Sequence, residues 1–271
     1  MGRWRHGIGQ LLAFGWQEAL SCVFAVGVFG CLALSRLVAL PLAPYDAVLV
    51  GCLLLTGVLW ATGVETTREV AVIGVFHLVG FALEVYKVRM GSWSYPGHGH
   101  TKLFDVPLYS GFMYAAVGSY ILHAWRRFDL ELSGYRPVPV TALAVAVYAN
   151  FFTHHRLPDL RWPLALALVW ACRRTWVSFR VRRARYRMPL AVSFALIGFF
   201  LWLAENAATY LGAWRYPHQA GGWQPVHAAK FGAWSLLVVV SFVLVAAVRH
   251  RPGAGGSGAA GPGPPGPPTP G

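Results

Sequence analysis

Apolar runs close to twenty residues long recur along the chain, at about 19–40, 47–63, 69–89, 106–125, 138–155, 161–179, 188–211 and 226–248. A helix needs about 20 such residues to cross the roughly 30 Å hydrocarbon layer of a bilayer. The runs therefore predict an all-α fold, a polytopic transmembrane helical bundle of about eight spans. Composition points the same way: 56% of the residues are hydrophobic and 12% charged, against roughly 25% charged in a soluble domain.

The net charge of +13 raises the question of a nucleic-acid partner. The basic residues answer it, because they sit in short loops between the runs. With the N-terminus inside, about 15 Lys and Arg fall on the inner side (Arg3, Arg5, Arg68, Arg126, Arg127, Arg136, the Arg173–Arg187 block, Arg249, Arg251) and about seven on the outer side. Positively charged loops stay cytoplasmic, so both termini are expected in the cytoplasm and no nucleic acid is needed to explain the charge. The eight-span count requires the run at 161–179 to cross, with Thr175-Trp-Val-Ser-Phe completing its helix beyond Arg173 and Arg174.

Residues 1–18 read as a cytoplasmic arm, 19–249 as the transmembrane domain, and 250–271, rich in Gly and Pro, as a disordered cytoplasmic tail. Cys22, Cys31, Cys52 and Cys172 all lie in apolar runs without a C-x-x-C pair, so neither a disulfide framework nor a thiolate zinc site is expected. No Walker loop, G-x-G-x-x-G or H-E-x-x-H occurs, which leaves a nucleotide cofactor unsupported.

One phrase is written twice: "EVYKVRMGSWSYP" at 84–96 and "ENAATYLGAWRYP" at 205–217. Four runs separate the copies. That spacing fits a parallel duplication of two four-span halves, about 19–127 and 137–249, with both phrases opening on the outer face. Gly followed by Pro stops a helix, while Trp93, Tyr95, Trp214 and Tyr216 suit the headgroup level. Glu84 and Glu205 lie two turns, about 10 Å, inward from their glycines. A carboxylate at that depth faces a cavity or a partner, and is a functional candidate by default. Lys87, three residues from Glu84, predicts an ion pair on the same side of the helix. Glu205 has no basic residue in its own turn, only Asn206 beside it and Lys230 across the hairpin, and so can carry a proton.

A second polar group ends the fifth run, in "YANFFTHHRLPDLRW". Asn150 and His154 share a helix face, and His154, His155 and Asp159 are candidate ligands for a divalent metal or candidates for proton handling.

The stretches "VPLYSGFMYAAVGSY" (106–120), "NFFTHHRLPDLRW" (150–162), "RMPLAVSFALIGFFLWLAEN" (187–206) and "GAWRYPHQAGGW" (212–223) resemble the YoaT-like bacterial membrane proteins, the domain-of-unknown-function family 817. The resemblance implies a multi-pass protein of a bacterial inner membrane, without an established activity. The family-like positions are Glu84, Trp93, Tyr95, Pro107, Asn150, His154, His155, Asp159, Glu205, Asn206, Trp214, Tyr216 and Gln219. A fainter similarity joins the acidic residue, the Gly-x-Trp-x-Tyr segment and the following helix start to the integral-membrane carotenoid cyclases and hydratases. Those enzymes protonate an isoprenoid double bond with a carboxylic acid in an apolar pocket. Where the cyclases carry a Glu-Glu pair, this chain has Leu108, Tyr109 and Ser110.

These readings converge on an enzyme acting on a lipid or isoprenoid by acid–base chemistry at an outward-facing site. In that reading Glu205 is the proton donor, Glu84 with Lys87 a charge-balancing pair, and His154 with Asp159 the opposing base or a metal site. Trp93, Tyr95, Asn150, Asn206, Trp214, Tyr216 and Gln219 are the expected substrate contacts. A proton-coupled transporter or small-molecule binding protein, and a non-catalytic assembly factor, are the alternatives.

Overall fold

The structure, a computed structural model, describes residues 2–249 except residue 155; the predicted tail at 250–271 lies outside the described residues. It is mainly helical, with nine α-helices among the described residues. In chain order they are α1 (Gly2–Ser21), α2 (Val23–Leu37), α3 (Pro44–Ala61), α4 (Thr67–Arg89), α5 (Ser110–Arg127), α6 (Pro137–Thr153), α7 (Arg161–Cys172), α8 (Leu190–Tyr210) and α9 (Ala229–Arg249). The expected N-terminal arm is thus helical, and α1 meets α2 at a 64° bend.

Each of the eight apolar runs contains a helix, but the helices are unequal. Four are long and apolar enough to cross a bilayer, namely α3, α4, α8 and α9, and the bent α1–α2 pair makes a fifth if it is one span. Leu53, Leu54 and Val58 on α3 and Phe199 and Phe200 on α8 stand exposed on the outside of the bundle, a surface that suits hydrocarbon better than water. The helix α5 occupies the centre, with α4, α2, α1 and α9 packed around it. It can carry Ser110, Ser119 and His123 because all three are fully buried in protein.

Close packing of α4 on α5 depends on small residues, as is usual between membrane helices. A Cβ on Gly118 would lie 2.7 Å from the Phe76 ring, and one on Gly80 would lie 2.5 Å from Tyr114. Away from the site, Thr66 and Glu69 form a capping box that starts α4, and Arg126 of α5 bonds Glu69 at 3.2 Å.

The expected helix over 161–179 is corrected by the structure. The helix α7 ends at Cys172, after 12 residues, about 18 Å at 1.5 Å per residue. The chain then forms strand β4 (Trp176–Val181), which pairs antiparallel with β5 (Ala184–Pro189) on one side and with β3 (Glu131–Ser133) on the other; β1 (Lys102–Leu103) and β2 (Val106–Pro107) form a separate small hairpin. Alternation explains β4: Val177 and Val181 face inward while Ser178 and Arg180 do not. Arg182, at φ 53°, sits in the two-residue turn, and Asp129 and Glu131 pair with Arg180 and Arg185 across the sheet. The arginine block is therefore a β-hairpin, not the end of a span.

Candidate functional site

Both phrases fold in the same way. The helix α4 ends at Arg89 with Met90 as its cap, then Gly91 takes φ 70°; α8 ends at Tyr210 with Leu211 as its cap, then Gly212 takes φ 69°. Gly91 and Ser92 donate to the carbonyls of Val88 and Lys87, and Gly212 and Ala213 to those of Thr209 and Ala208. That is the glycine-terminated cap in which the next two N–H groups fold back onto the last turn. The chain then turns back, and the two phrases meet: Ser94 and Arg215 exchange backbone hydrogen bonds of 2.9 Å in both directions. The ends of α4 and α8 therefore lie together, although α7 falls short as a helix. Arg36 of α2 fastens the same corner, donating to the carbonyls of Leu211 at 2.8 Å and Gly212 at 2.7 Å.

The return of each phrase brings its aromatic residues over its own glutamate. Glu84, 3% exposed, accepts from Trp93 Nε1 (2.6 Å) and the Tyr95 hydroxyl (2.7 Å) on one oxygen and from the Tyr114 hydroxyl (2.6 Å) on the other. Glu205, 4% exposed, accepts from the Tyr216 hydroxyl and from Trp234 Nε1 at 2.8 Å. In each case the tyrosine lies eleven residues beyond its glutamate, and a further donor comes from the helix after the phrase, Tyr114 of α5 or Trp234 of α9. Burial, then the adjoining carboxylate, pushes the Tyr95 and Tyr216 phenols well above their ordinary value. Both remain hydrogen-bond donors at physiological pH.

The two halves of the site touch through aromatic rings. Trp93 packs edge-on against Tyr216 at 5.9 Å, and Lys230 Nζ lies 4.6 Å from the Tyr216 ring centre and 5.3 Å from that of Trp93, within cation–π range. Glu84 and Glu205 are close enough to interact electrostatically. Both carboxylates, with Trp93, Trp214, Tyr216 and Lys230, line one end of a cavity of about 670 Å³. From there the cavity follows α5 past Met113, Val117 and Ile121 to Phe128, and its opposite wall runs along α8 from Ala208 to Leu190. Fifteen residues of helix correspond to about 22 Å, so the cavity is long, and beyond its carboxylate end its lining is largely apolar. Glu18, bonded by Tyr120 at 3.0 Å, is a further acid on its wall.

Two sequence expectations about these glutamates are corrected. Lys87 donates to the carbonyl of Phe151 at 2.7 Å and lies over that ring, while the oxygens of Glu84 receive aromatic donors. A lysine near the end of one helix is drawn to the open C-terminal carbonyls of another. Glu205 is not alone either, since it holds Tyr216 and Trp234. The supposed contrast between a paired and a solitary carboxylate gives way to two carboxylates held in the same manner.

Several other candidates position the chain. Asn150 donates to Asp159 at 3.2 Å and accepts from the Leu160 N–H at 2.8 Å. Asn206 accepts from the Val226 N–H at 2.9 Å, fixing the entry to α9. Gln219 accepts from the Tyr216 N–H at 3.1 Å. Tyr109, where the cyclases carry a Glu-Glu pair, donates to the carbonyl of Ala213 at 2.6 Å and ties the first loop to the second phrase.

His154 directs Nδ1 to the carbonyls of Asn150 and Phe151, and Asp159 pairs with Arg161 at 3.1 Å. Partial burial pushes the Asp159 carboxyl up. The bonds from Asn150 and the Arg161 N–H, with the Arg161 charge, outweigh that and hold it below its ordinary value. His155 lies outside the described residues, and among those described no three His, Cys, Asp or Glu side chains converge as a metal site would require.

Tyr114 and Trp234 were not among the sequence candidates. Each is an aromatic residue with a polar tip inside an apolar helix, and such a tip needs a buried partner; that was the available signal.

Uncharacterized protein YoaT of Bacillus subtilis (strain 168) is 51% identical over 244 residues, covering 89% of this chain and 92% of that protein. No solved structure matches. The chain belongs to the family described as Protein of unknown function (DUF817), whose profile matches residues 10–242 and so takes in both glutamates, both phrases and Lys230.

Proposed function

We propose that this chain is an enzyme of a bacterial inner membrane that moves protons on a long-chain unsaturated lipid or isoprenoid. The observation that carries the reading is the placement of Glu84 and Glu205, both buried, at the polar end of a largely apolar cavity of about 670 Å³. That volume lies in the range of small-molecule sites, roughly 300–1,000 Å³. Glu205, with two hydrogen-bond partners to the three of Glu84, is the proton donor. Glu84 is the group that takes a proton from a neighbouring carbon. A proton given at one carbon and taken from another shifts a double bond without a second reactant, and the carboxyl groups finish with their roles exchanged. Positive charge developing between them faces the rings of Trp93, Trp214 and Tyr216. The charge distribution favours both termini inside and this site at the outer face, and the meeting of the two phrases is what two related halves lying side by side would give.

Lipid profiles test this. Host cells expressing the wild type, Glu205→Gln or no copy of the gene are compared by chromatography that resolves double-bond isomers. A species present only with the wild type supports the reading. Identical profiles for wild type and Glu205→Gln remove it. Unchanged lipids, together with proton-dependent flux in vesicles that both Glu84→Gln and Glu205→Gln abolish, would move the assignment to a transporter.

A further inference from the structure

The seven arginines from Arg173 to Arg187 take no part in the site around Glu84 and Glu205, and the strand register shows how they are arranged. Residues paired across neighbouring strands share a face of their sheet. Ser178 pairs with Glu131 on one side and Arg187 on the other, Trp176 with Ser133, and Arg180 with Arg185, so these residues form one face. Val177 pairs with Leu132 and Met188, and Phe179 with Tyr186, on the opposite face. That second face is apolar. Leu132, Val177, Phe179 and Met188 line the cavity at its Phe128 end, away from the two glutamates. The first face is polar and basic. Arg180, Arg185 and Arg187 are exposed on it, as are Arg173 and Arg174 before β4 and Arg182 and Arg183 in the turn.

Two carboxylates answer this charge: Asp129 and Glu131 pair with Arg180 and Arg185. Arg174, Arg182, Arg183 and Arg187 have no carboxylate partner among the described residues. The surroundings say what covers them. The Arg173 guanidinium lies 4.1 Å from the ring centre of Trp170, itself 64% exposed, and that of Arg187 lies 4.5 Å from the Trp176 ring centre. Directly after β5, Val192 and Leu196 on the first turns of α8 stand exposed to the outside of the bundle. Tryptophan belongs at the headgroup level of a bilayer, and a phosphate offers the planar arginine fork a two-point partner. We infer that the basic face of this sheet lies on the membrane surface and binds the phosphates of anionic phospholipids, through Arg182, Arg183 and Arg187 with Arg173 and Arg174 at its edge. The charge rule makes that surface the cytoplasmic one. Loop charge would orient the chain in any conformation; the two-faced sheet adds a defined surface, with its arginines beside exposed apolar side chains and its back against the cavity. Lipid bound outside therefore steadies the wall of the cavity at that end.

Native mass spectrometry of the purified full-length protein, titrated in detergent with dioleoyl phosphatidylglycerol or dioleoyl phosphatidylcholine, reads the affinity for each lipid. Each arginine near an anionic surface contributes about fivefold, so the wild type is expected to bind phosphatidylglycerol at least about tenfold more tightly. Raising the salt concentration should erode that preference. The double variant Arg183→Gln/Arg187→Gln should lower it by at least about fivefold. Arg156→Gln/Arg215→Gln removes the same charge from exposed residues on the side of the two phrases and should leave it unchanged. Thermal unfolding confirms that both variants are folded. Equal affinity of the wild type for the two lipids overturns the inference, as does an intact preference in Arg183→Gln/Arg187→Gln. Equal losses in the two double variants reduce the effect to overall charge and overturn the defined surface. Tighter binding of a single-stranded oligoribonucleotide than of phosphatidylglycerol by the wild type, lost in Arg183→Gln/Arg187→Gln, would give the face to a nucleic acid instead. None of these outcomes depends on the chemistry at Glu205.

Discussion

The ring of Trp93 packs edge-on against Tyr216 at 5.9 Å, and each of these two residues donates a hydrogen bond to the glutamate that precedes it in its own phrase, Trp93 to Glu84 and Tyr216 to Glu205. The aromatic residues that would serve an ordinary membrane protein as a headgroup belt are buried here and join two carboxylates into one site. Lys230, over both rings, closes it on the basic side.

The number of donors on each carboxylate sets an order of stability. Glu84→Ala leaves Trp93, Tyr95 and Tyr114 without their acceptor, whereas Glu205→Ala leaves Tyr216 and Trp234. An unsatisfied buried polar group costs about 1–3 kcal/mol. Glu84→Ala is therefore expected to lose at least about 2 kcal/mol and more than Glu205→Ala, with the glutamine variants milder than both. Thermal unfolding in detergent gives the ranking, and a Glu205→Ala protein less stable than Glu84→Ala would contradict it.

The approach of α4 to α5 is tight where it presents Tyr114 to Glu84. A methyl group on Gly80 would sit 2.5 Å from the Tyr114 ring, while one on Gly74, in the same helix, meets nothing within 4 Å. Overpacking typically costs about 1–3 kcal/mol. Gly80→Ala should lose stability by that order and reduce turnover through the displaced tyrosine. Gly74→Ala should be neutral in both assays.

Asp159 gives a modest pH dependence of known sign. Its folded-state carboxyl value is depressed, so its contribution is fully present above the ordinary value of about 3.9 and is lost as pH falls through the lower folded value. With 41% of its side chain exposed, solvent screening keeps the contribution well under about 1 kcal/mol. The melting temperature of Asp159→Asn should therefore fall slightly less than that of the wild type between about pH 5 and pH 3, and should resemble it below that range.

Much of this arrangement was legible from sequence. The apolar runs located the helices, and the depth of Glu84 and Glu205 marked them before any fold was known, because hydrocarbon makes a carboxylate conspicuous. Their partners were harder to find. A spacing of three residues suggested Lys87 for Glu84, but a lysine near a helix end reaches several neighbours, and the carbonyl of Phe151 took it. Tyr114 and Trp234 come from the helix after each phrase, and a sequence read one helix at a time does not show which faces meet. At 176–181 the alternation of Val177 and Val181 with polar residues indicated a strand, yet the expectation of another crossing hid it. Asn150 was expected as a substrate contact and Asp159 as a base or metal ligand; in the structure Asn150 bonds Asp159 and the Leu160 N–H and fastens a loop.

The central claim is that the apolar cavity holds a long-chain substrate whose chemistry depends on Glu205. Mass spectrometry of the lipid retained by the purified wild type, Glu205→Gln and Ala204→Trp addresses it most directly, since Ala204 lines the cavity one residue from the acid. The account predicts one enriched unsaturated long-chain species in Glu205→Gln, its rearranged product in the wild type, and neither in Ala204→Trp. The same bulk bilayer lipids in all three proteins would contradict it.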